Sequence, residues 1–168
     1  MKTLRSAGLA VLPLLFAVSF LAAAPAPAPS AFDQLKSLIG TWEGVTPDGK
    51  SVRVTYEAAS GGTALLERLK PADEPEMVTV YSPDGDRLAV THYCSAGNQP
   101  HMRTEALAGN EKTFKFSFVS ATNLASPDAG HMRGLVLTIV DHDHFTQEWT
   151  YLEKGKAATE VFRYTRKN

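Results

Sequence analysis

The residues that could do chemistry cluster in one stretch, Thr91-His92-Tyr93-Cys94-Ser95-Ala96-Gly97-Asn98-Gln99-Pro100-His101-Met102-Arg103. It holds the single cysteine and two of the five histidines of the chain. One thiol and two imidazoles are ligands for zinc or copper, so His92, Cys94 and His101 are metal candidates. Their spacing matches no established zinc pattern, and His92 and Cys94 read more readily as a satisfied barrel histidine and a small buried hydrophobe. Cys94 beside an imidazole is also a nucleophile–base pair in principle, yet no cysteine-hydrolase motif surrounds it. Glu148 is a further general-base candidate, with a structural pairing to Arg163 as its alternative. An enzyme is therefore the weaker reading.

His-Met-Arg occurs twice, at His101 to Arg103 and at His131 to Arg133. Each copy follows an irregular stretch and begins a strand. His101 and His131, with Met102 and Met132 nearby, are expected at one rim, where they could hold a metal, a haem or a polar ligand group. His92, His101 and His131 are the candidate axial haem ligands, and nothing selects among them. The cofactor is undetermined. In Asp141-His142-Asp143-His144, aspartate and histidine read as a solvated turn rather than a metal site.

These side chains must be positioned by strands. Leu88, Val90, His92 and Cys94 fall on one face by the period-two rule. Ala96 to Pro100 reverses the chain, and a return strand begins at His101. The turn should be braced by Asn98 and Gln99, with Asn123 of the neighbouring loop as partner. Phe114, Phe116 and Phe118 alternate with Lys115 and Ser117, the clearest strand signal in the chain. Phe145, Gln147, Trp149 and Tyr151 repeat the pattern. These aromatic faces are core or the lining of a pocket, so Phe116 and Trp149 join His92, Cys94, Asn98, His101, Asn123 and His131 as ligand-binding candidates.

The remainder reads as strand after strand. Phe32, Leu35, Leu38 and Ile39 have helical spacing over residues 31–39, ended by Gly40. Strands are expected over 41–45, 51–57, 63–69, 77–81, 87–94, 101–107, 113–119, 135–140, 145–151 and 159–166. Turns fall at Pro47-Asp48-Gly49, Ser60-Gly61-Gly62, Pro83-Asp84-Gly85-Asp86, Ala108-Gly109-Asn110 and Lys154-Gly155-Lys156. The longest irregular stretch is 120–130. About ten antiparallel strands joined by tight turns predict an all-β chain. They form a single up-and-down barrel, which hides its edges, with a short N-terminal helix.

Residues 1–24 read as a signal peptide: Lys2 and Arg5, an apolar run over 8–21, then Ala22-Ala23-Ala24. The cut falls between 24 and 28, residues 25–30 form an Ala/Pro linker, and 31–168 form the barrel domain. The expected location is periplasmic or extracellular, with no membrane attachment after cleavage. Without Lys2 and Arg5, fifteen basic residues face eighteen acidic ones, a net charge of −3. That balance argues against nucleic acid or an anionic membrane surface as partner. One cysteine forms no internal disulfide, so the core must hold the domain together. The oligomeric state is undetermined.

Leu38-Ile39-Gly40-Thr41-Trp42-Glu43-Gly44 resembles the opening of the calycin superfamily, the lipocalins and fatty-acid-binding proteins. In that superfamily a short helix leads into Gly-x-Trp on the first strand. The resemblance implies that Trp42 closes one barrel end under an arginine of the last strand, Arg166 or Arg163. Residues 81–86, 91–102 and 141–151 are similar to an uncharacterised group of bacterial exported proteins of this type, which implies a fold and no activity. Other calycin signatures are not evident. Three functions follow as alternatives: an exported lipocalin-like barrel holding a small, largely apolar ligand; a metal- or haem-binding barrel using His92, Cys94 and His101; or a structural or interaction domain with a filled interior.

Overall fold

The computed structural model describes residues 30–46 and 48–167. The signal peptide and most of the Ala/Pro linker read from the sequence lie outside the described residues, as does Pro47 of the first turn. Alternation of apolar and polar residues along each segment, broken by turn-forming glycines, produces ten strands after one short helix. They are α1 (Ala31–Lys36), β1 (Gly40–Val45), β2 (Ser51–Ala59), β3 (Ala64–Pro71), β4 (Met77–Asp84), β5 (Arg87–Tyr93), β6 (Gln99–Arg103), β7 (Thr113–Thr122), β8 (His131–Ile139), β9 (His144–Glu153) and β10 (Lys156–Lys167). Every strand pairs antiparallel with its sequence neighbour, and β1 pairs with β10, so the sheet is a closed barrel. Closure leaves no edge strand.

Several boundaries move, each for a local reason. α1 is shorter than its apolar spacing suggests. The peptide N–H of Ser37 turns back to the Gln34 carbonyl and ends the helix before Leu38. Ser30 caps its start in a reciprocal box with Asp33. β6 begins at Gln99 rather than His101 and stops at Arg103. There the Thr104 hydroxyl accepts the Leu88 N–H at 3.0 Å, in the place of a strand carbonyl. β7 runs on to Thr122, because Gln99, Pro100 and His101 pair with Thr122, Ala121 and Ser120. The irregular stretch therefore spans 123–130.

One end of the barrel is sealed. Phe32, Leu35 and Leu38 are buried beneath it and join the core. The Trp42 indole N–H donates to the Leu38 carbonyl at 2.8 Å. Arg166 lies 4.0 Å above the Trp42 ring, and its guanidinium donates to the carbonyls of Ser37, Ile39 and His142. Arg166, not Arg163, is thus the cation over the indole; Arg163 pairs with Val45 and Thr146 further up the wall and is exposed. Gly40 adopts φ +131°, and a Cβ there would sit 3.0 Å from an Arg166 nitrogen, so the first residue of Gly-x-Trp fits as glycine alone.

Above this base, Trp42, Tyr56, Tyr81, Phe114, Phe116, Leu135, Leu137, Phe145 and Tyr164 fill the interior. Phe118 departs from the expected array. Opposite His101 and Met102 of β6, β7 carries an extra residue, Val119, and beside this bulge Phe118 packs 5.0 Å from the His131 ring with the Arg133 guanidinium 4.3 Å over it.

Candidate functional site

The upper end of the barrel is open. A cavity of about 420 Å³ lies there, lined among others by Leu69, Met77, His92, Cys94, Met132, Trp149, Tyr151 and Phe162. Most of these residues sit toward the ends of β3, β5 and β9 and at the starts of β4 and β8, with Phe162 near the middle of β10. In an antiparallel barrel those positions share one rim, opposite the end sealed by Trp42. Ten strands enclose more space than their side chains fill, and the surplus is left at this end.

The floor is polar and fully buried. On β5, Leu88 and Val90 face the core, and the same alternation brings His92 inward, 1% exposed. Its ring stands 4.6 Å from that of Trp149. Its Nδ1 lies 2.9 Å from the Thr79 hydroxyl oxygen, and its Nε2 is buried with no partner. Burial lowers its pKa from 6.5 to about 4, so the ring is neutral at physiological pH.

Beneath Thr79 lies a carboxylate, Glu67, completely buried. Its Oε2 accepts from the hydroxyls of Tyr56 and Tyr81, both at 2.6 Å, and from the Gln147 amide at 2.7 Å. Its Oε1 faces the Thr79 hydroxyl at 3.5 Å. The Gln147 carbonyl oxygen accepts from the Trp149 indole and the Tyr164 hydroxyl, which fixes the amide with its nitrogen toward Glu67. Burial pushes the Glu67 carboxyl above its usual range, and the four donors pull it back. Burial also raises Tyr56, Tyr81 and Tyr164 well above the ordinary phenol value, so all three remain donors.

The hydrogens of this network can be counted. Three donors on one oxygen suit a carboxylate, which only accepts. Thr79 has one hydrogen. Given to Glu67 Oε1, it leaves the Thr79 oxygen to accept from His92 Nδ1–H, and Nε2, on the side of the ring away from Thr79, keeps a bare lone pair. Given to His92 instead, it leaves Oε1 without a donor. The first arrangement satisfies one more buried group and is the favourable one.

His92 and Cys94 share this cavity, as their common strand face implied, and Trp149 of β9 joins them. His101 does not join them. It pairs with Thr91, the outward neighbour of His92, and its Nδ1 lies 3.0 Å from the Thr91 hydroxyl on the outside of the wall. The expected His92–Cys94–His101 set is therefore split across the barrel wall. Among the described residues no three of His, Cys, Asp and Glu converge to hold a metal ion.

The two His-Met-Arg copies do not flank one opening either. Each carries a register shift, between His101 and Met102 and between Met132 and Gly134. In each the methionine faces inward: Met102 is core and Met132 lines the cavity. His131 pairs with Leu152, whereas Met132 pairs with Tyr151. His131 and Leu152 line a separate outer cleft with Phe118 and Arg133. So of the three proposed axial histidines only His92 faces the interior.

Asn98 and Asn123 act as braces. The Asn98 amide donates to the Gly130 carbonyl at 2.8 Å, and the Asn123 amide donates to the Gly97 carbonyl. The turn after β5 and the loop before β8 are thereby tied at the open rim. Gly97, at φ +82°, provides the left-handed residue that the turn needs. Phe116 packs edge-on against Tyr81 in the core and does not reach the cavity. Glu148 alternates with inward Gln147 and Trp149 and so faces out; the interior carboxylate is Glu67. Its signal was present in the sequence, since Leu65, Glu67 and Leu69 occupy the inward positions of one strand, as Gln147 does between Phe145 and Trp149.

No family model matches the chain, and no curated protein matches it. Among solved structures it is similar to Rv2717c from M. tuberculosis, with a TM-score of 0.58 at 13% identity over 83% of this chain and 99% of that one. It is also similar to a protein of unknown function of the DUF3598 family from Nostoc punctiforme, with a TM-score of 0.55 at 11% identity. That match covers 83% of this chain and half of the other. At such identities the likeness is one of fold: this is a closed ten-stranded antiparallel barrel.

Proposed function

We propose that the protein is an exported, lipocalin-like barrel that binds a small, largely apolar ligand in the cavity at its open rim. The observation that carries this reading is the cavity itself. At about 420 Å³ it lies within the roughly 300–1,000 Å³ range of small-molecule sites. It also has the usual composition of such sites, an apolar wall of Leu69, Met77, Met132, Trp149 and Phe162 with one buried polar atom, His92 Nε2, left to orient an occupant. The calycin assignment is supported by Gly40, Trp42 and Arg166 at the sealed end. Export is supported by the charged, apolar and small-residue sequence of residues 1–24. A filled structural barrel fits less well, because packing stops short of the rim.

Native mass spectrometry of the protein purified from its own cell envelope tests this. A bound organic molecule of a few hundred daltons, lost in the His92→Trp variant that fills the cavity, is the expected result. A metal or haem adduct, or binding unchanged in that variant, overturns it.

A further inference from the structure

The cavity is more selective than an apolar wall alone requires. Among its lining side chains His92 carries a buried, unpartnered nitrogen, Nε2, and the network below decides what that atom offers. Glu67 is cradled by Tyr56, Tyr81 and Gln147 and draws the Thr79 hydrogen; Thr79 in turn takes the His92 Nδ1 hydrogen. The floor therefore presents a lone pair, an acceptor. Among the described residues the charged side chains that line the cavity are Glu74 and Glu160, both acidic, and no lysine or arginine lines it.

We infer that the cavity selects a neutral, apolar compound whose inner end carries a hydroxyl donor, an alcohol or phenol, and discriminates against fatty carboxylates. The inference rests on the reading of this cavity as a binding site. A hydroxyl donates to His92 Nε2 and removes the one buried polar vacancy of the floor. A carboxylate has no hydrogen to give, meets a lone pair with its own, and approaches past two acidic side chains with no cation to receive it. An ether of the same shape fills the apolar volume and leaves Nε2 unpaired. The site thus differs from a barrel that fixes an acid through an interior arginine.

Calorimetric titration of the purified protein with naphthol, methoxynaphthalene, naphthoate and naphthalene separates these cases, since the four share one apolar body. Naphthol is expected to bind about tenfold more tightly than methoxynaphthalene, the effect of one buried hydrogen bond, with naphthoate weakest. His92→Phe should remove the advantage of naphthol and bring it level with the ether. Isotope-edited NMR of the wild-type ring gives a readout that needs no variant: free His92 should show Nδ1 protonated and Nε2 bare, with Nε2 shifting on naphthol addition. Naphthoate binding as well as naphthol, a naphthol advantage that survives in His92→Phe, or a protonated Nε2 in the free protein overturns the inference while leaving the cavity a binding site. No binding of any of the four, naphthalene included, defeats the reading of the cavity itself.

Discussion

Arg166 lies over Trp42, its Cζ 4.0 Å from the ring centroid, while the indole N–H and the guanidinium together satisfy the carbonyls of Leu38, Ser37, Ile39 and His142. One side chain thereby fastens β10 to the chain leaving α1. Arg166→Lys keeps the charge and loses the planar fork. It should cost about 1–3 kcal/mol of stability, from the lost stacking and unsatisfied carbonyls. Urea unfolding followed by Trp42 fluorescence measures this, and naphthol affinity at the far end should be unchanged.

Acid should destabilise the barrel through His92. Its pKa falls from 6.5 to about 4 on folding, so between these values the unfolded chain binds the proton and the folded chain does not. Stability from this group is complete above pH 6.5 and declines as pH drops toward 4. At about 1.4 kcal/mol per unit the whole effect is on the order of 3 kcal/mol. Glu67, raised by burial, has the opposite sign, contributing stability at low pH that is lost as pH rises through its folded pKa. Comparing the pH dependence of urea unfolding in wild type and His92→Phe isolates the histidine: the variant should lose the decline below pH 6.5. An equal decline in both would refute the assignment.

Glu67→Gln should invert the floor. With its oxygen kept under Tyr56, Tyr81 and Gln147, the new amide places its nitrogen toward Thr79. That nitrogen donates, Thr79 then donates to His92 Nδ1, and Nε2 must carry the hydrogen. The expected outcome is a reversed ligand order, methoxynaphthalene over naphthol, with a protonated Nε2 in the ring spectrum. An unchanged order would show that Thr79 does not relay the state of residue 67 to His92.

Gly130→Ala should damage the rim. A Cβ on Gly130 would lie 1.8 Å from the Tyr151 hydroxyl, and Tyr151 lines the cavity. The ring must be displaced, which should weaken naphthol binding several-fold and cost about 1–3 kcal/mol of stability. Adding Tyr151→Ala should restore most of the stability, a recovery read from thermal melts of the single and double variants.

Strand count, barrel closure and the Trp42–Arg166 seal were legible because each depends on local alternation or on one short motif. His92 and Cys94 were likewise placed on one inward face by period two alone, whereas their meeting with Trp149 depends on closure of the barrel. His131 was misplaced because a bulge at Arg133 changes the register of β8, and a one-residue slip moves a side chain through the wall. His101 was misplaced for a different reason: it pairs in unbroken register with outward-facing Thr91, a parity set by the hairpin pairing. Glu67 was overlooked because its meaning depends on Tyr56, Tyr81 and Gln147, donors contributed by three other strands. A single inward carboxylate is visible in a sequence; the partners that make it tolerable are visible after closure.

The sealed base has a consequence for traffic. Among the described residues the barrel opens at its upper rim alone, so on the proposed function a bound molecule must leave by that rim before another takes its place, and exchange is set by the slower departure. The chain also joins this barrel from below, since Ser30 leads into the helix that plugs the base.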